Sequence, residues 1–353
     1  MPGVPPDLIT ETRDGLFCPR GGFHIDPWGA VERAVITHAH SDHARWGSRS
    51  YLAAARGVGV LARRLPGASI ESLPFGERKR IGDVTLSFHP AGHVLGSAQV
   101  RIECDGDVWV VTGDYKLADD GVCEPFESVR CRVLISECTF GLPIYRWPAP
   151  QLVHDEIAAW WAACRERSQT AIITAYSLGK AQRILKHLPK DGPTLVHGAV
   201  QGMIDAHREA GVALPATEPA TPESAKAGRG KALVIAPGSA IGTPWIRKFG
   251  DHEVAAASGW MRVRGVRRRQ SLDRGFILSD HVDWPGLQSA VKASGCEEVI
   301  LTHGFVEPAA RWFAEQGLRT RTIATRFVGE GADAGGEDAA VVGEPGDAVG
   351  ERQ

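Results

Sequence analysis

Residues 38–43 read His-Ala-His-Ser-Asp-His, which puts three imidazoles and a carboxylate within six positions. Imidazole nitrogen and carboxylate oxygen are donors that zinc and neighbouring transition metals accept. The stretch lies just past the apolar run Ala34-Val35-Ile36. Its spacing predicts a loop leaving the end of a strand, where adjacent side chains reach two neighbouring ions. One such loop does not complete two four-coordinate ions, so further ligands are expected at other strand ends beside small residues. His93 stands in Pro-Ala-Gly-His-Val-Leu-Gly, where glycine allows close backbone approach. Asp114 follows Val108–Thr112 in Thr-Gly-Asp-Tyr, placed to bridge two ions. His281 and His303 end the apolar runs Phe276-Ile-Leu and Val299-Ile-Leu-Thr in the same manner. Histidines 24, 89, 154, 187, 197, 207 and 252 lack that pattern and read as ordinary polar residues.

The elements that must position these side chains change character along the chain. Residues 20–136 read as short strands, with hairpins over Val84–Phe88, Ala98–Glu103 and Val108–Thr112 and a buried strand over Arg132–Ser136. From about 150 helices and strands alternate. A helix over Gln151–Arg167 precedes a strand at Thr170–Thr174, and a helix capped by Ser177 runs to Leu188 before Pro189. Thr194–His197 and Ala232–Ala236 are further strands, and 213–230 reads as a surface loop. After 272 strands are expected at Gly275–Ser279, Val299–Thr302 and Thr320–Ala324, with helices at 284–294 and 307–316. The outline is an α/β insert inside a β-rich body that resumes afterwards.

The chain has 353 residues, 43% hydrophobic and 23% charged, enough for one or two globular domains. No apolar run approaches the roughly 20 residues that span a bilayer, and the first residues do not form a signal peptide. Seven cysteines without a CxxC pair favour free thiols in a reducing cytoplasm. Net charge is −2, but residues from 330 onward carry seven acids and one Arg, leaving the rest at +4. The segment 329–353 is expected to be a disordered acidic tail. The Arg-rich stretch 262–269 reads as a solvated face or a contact for a phosphate backbone.

These residues resemble the metallo-β-lactamase superfamily and, within it, the β-CASP nucleases, over roughly residues 20–327. The superfamily motifs match Asp26, then His38, His40, Asp42 and His43, then His93, then Asp114; the β-CASP motifs A, B and C match Glu137, His281 and His303. The resemblance implies an α/β fold, an αββα sandwich with an inserted β-CASP α/β domain. The division is 1–145 and 271–328 for the sandwich and 146–270 for the insert. It implies two divalent transition-metal ions, zinc or manganese. His38, His40, His93 and Asp114 would hold one, and Asp42, His43, His303 and the shared Asp114 the other, with Asp26 orienting ligands. A hydroxide between the ions would be the nucleophile. His281, held by Glu137, would protonate the leaving oxygen.

Ala175–Gln182 and Ala236–Ser239 resemble segments that border the substrate groove of RNA-cleaving members. Ser177 and Lys180 at a helix start, and Gly238 and Ser239 in a turn, are candidate phosphate contacts. The insert points to nucleic acid rather than a small ester or lactam. His303 at motif C is typical of RNA-processing members. Ile-Thr-His-Ala-His-Ser-Asp-His-Ala-Arg-Trp-Gly and Leu-Ser-Asp-His-Val-Asp-Trp instead resemble bacterial ligase-associated DNA exonucleases, encoded beside a DNA ligase and a helicase. The resemblance thus implies a DNA exonuclease acting on single strands or ends in repair. The alternatives are a ribonuclease and a non-catalytic nucleic-acid-binding scaffold.

Overall fold

The computed structural model describes residues 7–189, 191–263 and 272–323. The acidic segment 329–353 and most of the Arg-rich stretch 262–269 lie outside the described residues. The first sheet takes β1 (Thr10–Thr12), β2 (Gly15–Cys18), β3 (Phe23–Ile25), β4 (Arg33–Ile36), β5 (Ser50–Ala54) and β6 (Ile70–Leu73) in chain order, parallel from β3 onward. The second begins with β7 (Arg78–Ile81), β8 (Val84–Pro90), β9 (Ala98–Cys104) and β10 (Asp107–Val111) as an antiparallel meander, and β11 (Val133–Cys138) adds parallel to β10.

The chain then builds a third, wholly parallel sheet before returning. Its strands are β12 (Thr170–Thr174), β13 (Thr194–Val196), β14 (Glu218–Pro219), β15 (Leu233–Ala236), β16 (His252–Ala257) and β17 (Arg274–Phe276), in the order β14-β13-β15-β12-β16-β17. Finally β18 (Glu298–Gly304) and β19 (Arg319–Thr322) join the second sheet beside β11. The described residues form a mixed α/β structure with three sheets.

Side-chain alternation explains how the first two sheets stack. Successive residues of a strand face opposite sides. Val35 and Leu52 of the first sheet pack with Trp109, Val111, Ile135 and Ile300 of the second in one core between the sheets. The alternate residues face outward but stay buried. Ala34, Ile36 and Tyr51 meet Val60 and Leu61 of the helix Val58–Arg64. Val110, Leu134 and Leu301 meet Leu287, Val291 and Phe313 of the helices Trp284–Ser294 and Val306–Glu315. Strands covered on both faces read as continuous apolar runs. Helices therefore flank a pair of face-to-face sheets.

Most expected elements appear within two residues of their predicted limits, and three differ in kind. The helix after β12 is Lys180–His187, and its N-cap is Gly179, not Ser177. Gly179 has φ +94°, and its amide donates to the Gln182 side chain at 2.7 Å, a backbone geometry that serine does not favour. The expected loop 213–230 contains β14 and the helix Pro222–Gly228, which Thr221 caps. The strand expected at Gly275–Ser279 is Arg274–Phe276, and it closes the third sheet beside β16 rather than returning to the second. All seven cysteines are unpaired. Among the described residues no helix is long and apolar enough to cross a membrane.

Candidate metal centre

The direction of the strands decides where the polar residues meet. β8, β10, β11 and β18 run the same way, so their carboxyl ends share one edge of the second sheet. His93 lies just past β8 and Asp114 just past β10, while Glu137 and His303 close β11 and β18. Asp26 follows β3, and residues 38–43 follow β4, its parallel neighbour. His281 lies between β17 and the helix Trp284–Ser294. All these ends converge on one buried rim.

Three imidazoles point nitrogen at a common place. His38 Nε2 and His93 Nε2 each lie 3.1 Å from His40 Nδ1, and with Asp114 they form a cluster of donors within 4.8 Å of one another. The far nitrogen of each ring is already committed. His40 Nε2 donates to the Leu178 carbonyl at 3.2 Å, and His93 Nδ1 to the Asp280 carbonyl at 2.9 Å. His38 Nδ1 donates to Thr37 Oγ1 at 3.1 Å, because that hydroxyl gives its own proton to Asp26 Oδ2 at 2.5 Å. Three lone pairs therefore face one point. That arrangement is repulsive alone and suits a cation.

Electrostatics supports the same protonation states. Burial holds His38 and His93 well below their ordinary pKa and lowers His40 to about 4. All three are therefore neutral at neutral pH, the form that ligates metal. His43 goes the other way. Burial opposes its protonation, but the carboxylates of Asp114, Asp42 and Asp26 outweigh that and hold its pKa well above the ordinary value. His43 Nδ1 is fixed on Asp26 Oδ2 at 2.8 Å, while among the described residues its buried Nε2 makes no well-aligned hydrogen bond. That nitrogen faces Asp114 Oδ2 at 3.3 Å and Asp42 Oδ2 at 3.6 Å, and the ring of His303 stacks beside it with centroids 5.4 Å apart. Among the described residues, the donor groups compact enough to share one ion are His38, His40, His93 and Asp114, and Asp114, Glu137 and His281.

Asp114 joins the two halves. Its Oδ2 lies 3.5 Å from His38 Nε2, 3.8 Å from His93 Nε2, 3.3 Å from His43 Nε2 and 3.9 Å from His281 Nδ1. Although burial would raise it, its pKa is held well below the carboxylate range by His43 and His281. Asp26 plays the complementary part from outside, gripping His43 directly and His38 through Thr37. Asp26 and His303 both have left-handed backbone, φ +45° and +56°, which non-glycine residues adopt where surrounding structure enforces it.

Gly113 secures this wiring. It has φ +56°, and a Cβ there would lie 2.6 Å from the Thr37 Cβ. Gly113→Ala is therefore expected to displace Thr37, with a backbone cost of about 1–2 kcal/mol. Thermal unfolding of the metal-free protein and a metal titration would detect the stability loss and the weakened binding together.

His281 and Glu137 sit next to the cluster. His281 Nδ1 donates to Glu137 Oε2 at 2.9 Å, and Glu137 is buried, also accepting the Tyr115 amide at 2.9 Å. Trp147 Nε1 holds the His281 carbonyl at 2.9 Å. A cavity of about 40 Å³ lined by Trp28, Asp42, His43, Glu137 and His303 opens alongside.

The candidate phosphate contacts are distributed differently. Tyr176, next to Ser177, brings its ring 6.0 Å from that of His40, so the carboxyl end of β12 abuts the centre. Gly238 and Ser239 are exposed at the end of neighbouring β15. Lys180 is fully buried, its ammonium 4.6 Å above the Tyr176 ring and 4.0 Å from Asp280, so it faces the interior. The sequence pattern gave no hint of Thr37, nor of Arg183 and Asp120, which are buried together near His93. Only Asp280, adjacent to His281, carried a positional signal. The remaining histidines lie elsewhere; His154, for example, stacks on His187 at 4.4 Å.

No family model matches the chain. It is 31% identical over 314 residues to a probable DNA ligase of Opitutus terrae, an alignment covering 88% of this chain and 30% of that protein. It is 31% identical over 120 residues to an RNase J-like protein of Methanocaldococcus jannaschii, covering 33% of this chain and 28% of the relative. Over 195 residues it is 25% identical to RNase aCSPSF2 of Saccharolobus solfataricus, covering 45% and 38%. The chain thus spans between 28% and 38% of the length of these three relatives. Among solved structures, a protein of unknown function from Enterococcus faecalis matches with a TM-score of 0.50 and 14% identity, over 76% of this chain and 74% of that one. That match concerns the fold alone. By sequence, the chain is similar over most of its length to part of a protein named as a DNA ligase, and over shorter stretches to proteins named as ribonucleases.

Proposed function

We propose that this chain is a metal-dependent nuclease of the metallo-β-lactamase superfamily, β-CASP branch, which hydrolyses phosphodiester bonds in DNA as an exonuclease. The observation that carries the reading is the convergence of nitrogens of His38, His43 and His93 on one oxygen of Asp114, beside the His281–Glu137 pair. The reading is supported by the third sheet, built between β11 and β18 where an insert would lie, and by two stacked sheets with outer helices, as a sandwich would have. All the proposed ligands are present, which favours an enzyme over a non-catalytic scaffold.

In this reading His38, His40, His93 and Asp114 hold one divalent ion, zinc or manganese, and Asp42, His43, His303 and the same Asp114 hold the other. Such a pair, when bound, acidifies water to supply a nucleophile and neutralises charge on phosphate oxygens. Asp26 keeps His38 and His43 in the tautomers that leave Nε2 available. Glu137 accepts from His281 Nδ1, so the additional proton of the charged ring resides on Nε2, where it can pass to the leaving oxygen. Ser177, Gly238 and Ser239, near the carboxyl ends of β12 and β15, lie where parallel sheets bind ligands and are proposed to meet substrate phosphates. Lys180 is proposed to act from within, through its neighbours.

DNA is favoured because the relative matched over 88% of the chain is named as a DNA ligase, while the relatives named as ribonucleases match 45% or less. Joint work with a DNA ligase and a helicase is proposed from the family resemblance alone. His303 at the motif C position favours the second reading, a ribonuclease. Matched end-labelled single strands of DNA and RNA, incubated with manganese or zinc, distinguish them. DNA should shorten, and a chelator should stop the reaction. Preferential shortening of RNA would replace the first reading by the second, and inertness toward both with metal restored would refute nuclease activity.

A further inference from the structure

Behind His93 lies a group of buried charges outside the proposed donor sets. The helix Lys180–His187 of the inserted region carries Lys180 and Arg183, and the body contributes Lys116, Asp120 and Asp280. Their side chains are at most 7% exposed, and Arg183 and Lys180 are wholly buried. Arg183 pairs with both Asp120 and Asp280. Lys116 Nζ donates to Asp120 Oδ2 at 2.7 Å. Two strands of this network end on one ligand: Arg183 Nη2 donates to the His93 carbonyl at 3.1 Å, and the Asp280 carbonyl accepts His93 Nδ1 at 2.9 Å. Arg183 thus fixes the backbone of His93 directly and, through Asp280, the orientation of its ring.

We propose that Arg183 is a positioning residue for His93, so that seating of the inserted helix and occupancy of the His38–His40–His93–Asp114 site are one linked equilibrium. The physical reason is that a buried guanidinium between two carboxylates has few alternative arrangements. Losing it frees Asp280 to move, and the His93 ring moves with it. Linkage then works in both directions: an ion that selects the ordered His93 also stabilises the helix that orders it. The inference rests on the metal-site reading above.

The test is a two-site manganese titration of the purified full-length protein stripped of metal. His93→Ala marks the isotherm of the first site and Asp42→Ala that of the second. Arg183→Lys, which retains the charge but not the two-sided fork, is expected to weaken only the first isotherm, by roughly 10–100-fold, the usual range for groups that orient ligands. A balanced double variant, Arg183→Met with Asp280→Asn, should do the same. It removes one charge of each sign and so avoids leaving an uncompensated buried carboxylate. Titrations are run where circular dichroism of each variant overlays the wild type. Hydrogen exchange supplies the reciprocal readout: manganese should slow exchange of the 180–187 amides in the wild type and much less in Arg183→Lys. Unchanged isotherms, equal weakening of both sites, or metal-insensitive exchange in the wild type would overturn the inference. A wild-type protein that binds no ion would instead defeat the metal-site reading itself.

Discussion

Asp114→Ala is expected to abolish phosphodiester cleavage and to lower metal content at both sites while the protein remains folded. One oxygen of this carboxylate faces nitrogen atoms of His38, His43, His93 and His281 at 3.3–3.9 Å, so its removal strips a shared donor from each half. Fold survives because the core between the sheets is made by residues such as Val35, Trp109 and Ile135, which do not depend on the rim. Losing the carboxylate also removes the largest influence raising the pKa of His43, which should therefore fall, although Asp42 and Asp26 remain. Metal analysis of protein purified without chelator, run beside circular dichroism and a cleavage assay, checks all three parts. Wild-type cleavage by this variant would refute the proposed centre.

His281→Ala should have a different signature, retaining both ions but slowing turnover by roughly 10²–10⁴-fold, as for loss of a proton donor. In the proposed reading this residue donates a proton rather than holding an ion, while Asp114, Glu137 and His281 also lie close enough together to share one. Its Nδ1 is taken by Glu137 at 2.9 Å and lies 3.9 Å from Asp114. The deficit should shrink on a substrate whose leaving group needs no proton, such as a p-nitrophenyl phosphodiester. A variant that loses an ion would make His281 a ligand and reassign the proton donor. Glu137→Gln should lie between the wild type and His281→Ala, since the ring stays but loses its anionic partner.

Much of this arrangement was legible in the chain. Apolar runs located β10, β11 and β18 closely, because strands covered on both faces need unbroken hydrophobic sequence, and apolar–polar alternation located β8. The metal-ligand candidates were readable because each follows or closes such a run, and a strand end is where a side chain can leave the sheet without breaking its hydrogen bonds. Less visible were features that depend on what arrives from elsewhere. Ser177 looked like a helix cap, yet the chain turns at Gly179, whose positive φ no pattern of side chains announces. The strand near 275 was correctly expected, but its partner was not, since apolar residues alone do not reveal which sheet edge is open. Lys180 read as a candidate phosphate contact because it stands at a helix start. Burial against Tyr176 and Asp280 is a property of packing.

The sequence by itself determined the donor types, their positions at strand ends and the α/β order of the elements, because local hydrophobic period and residue chemistry are written in neighbouring positions. Only the tertiary structure decided which nitrogen of each imidazole is free. Tautomers follow from partners supplied at long range, such as Leu178 for His40, Asp280 for His93 and Asp26 for His43. It likewise decided that Arg183, otherwise indistinguishable from the other arginines of the chain, lies buried against the backbone of His93.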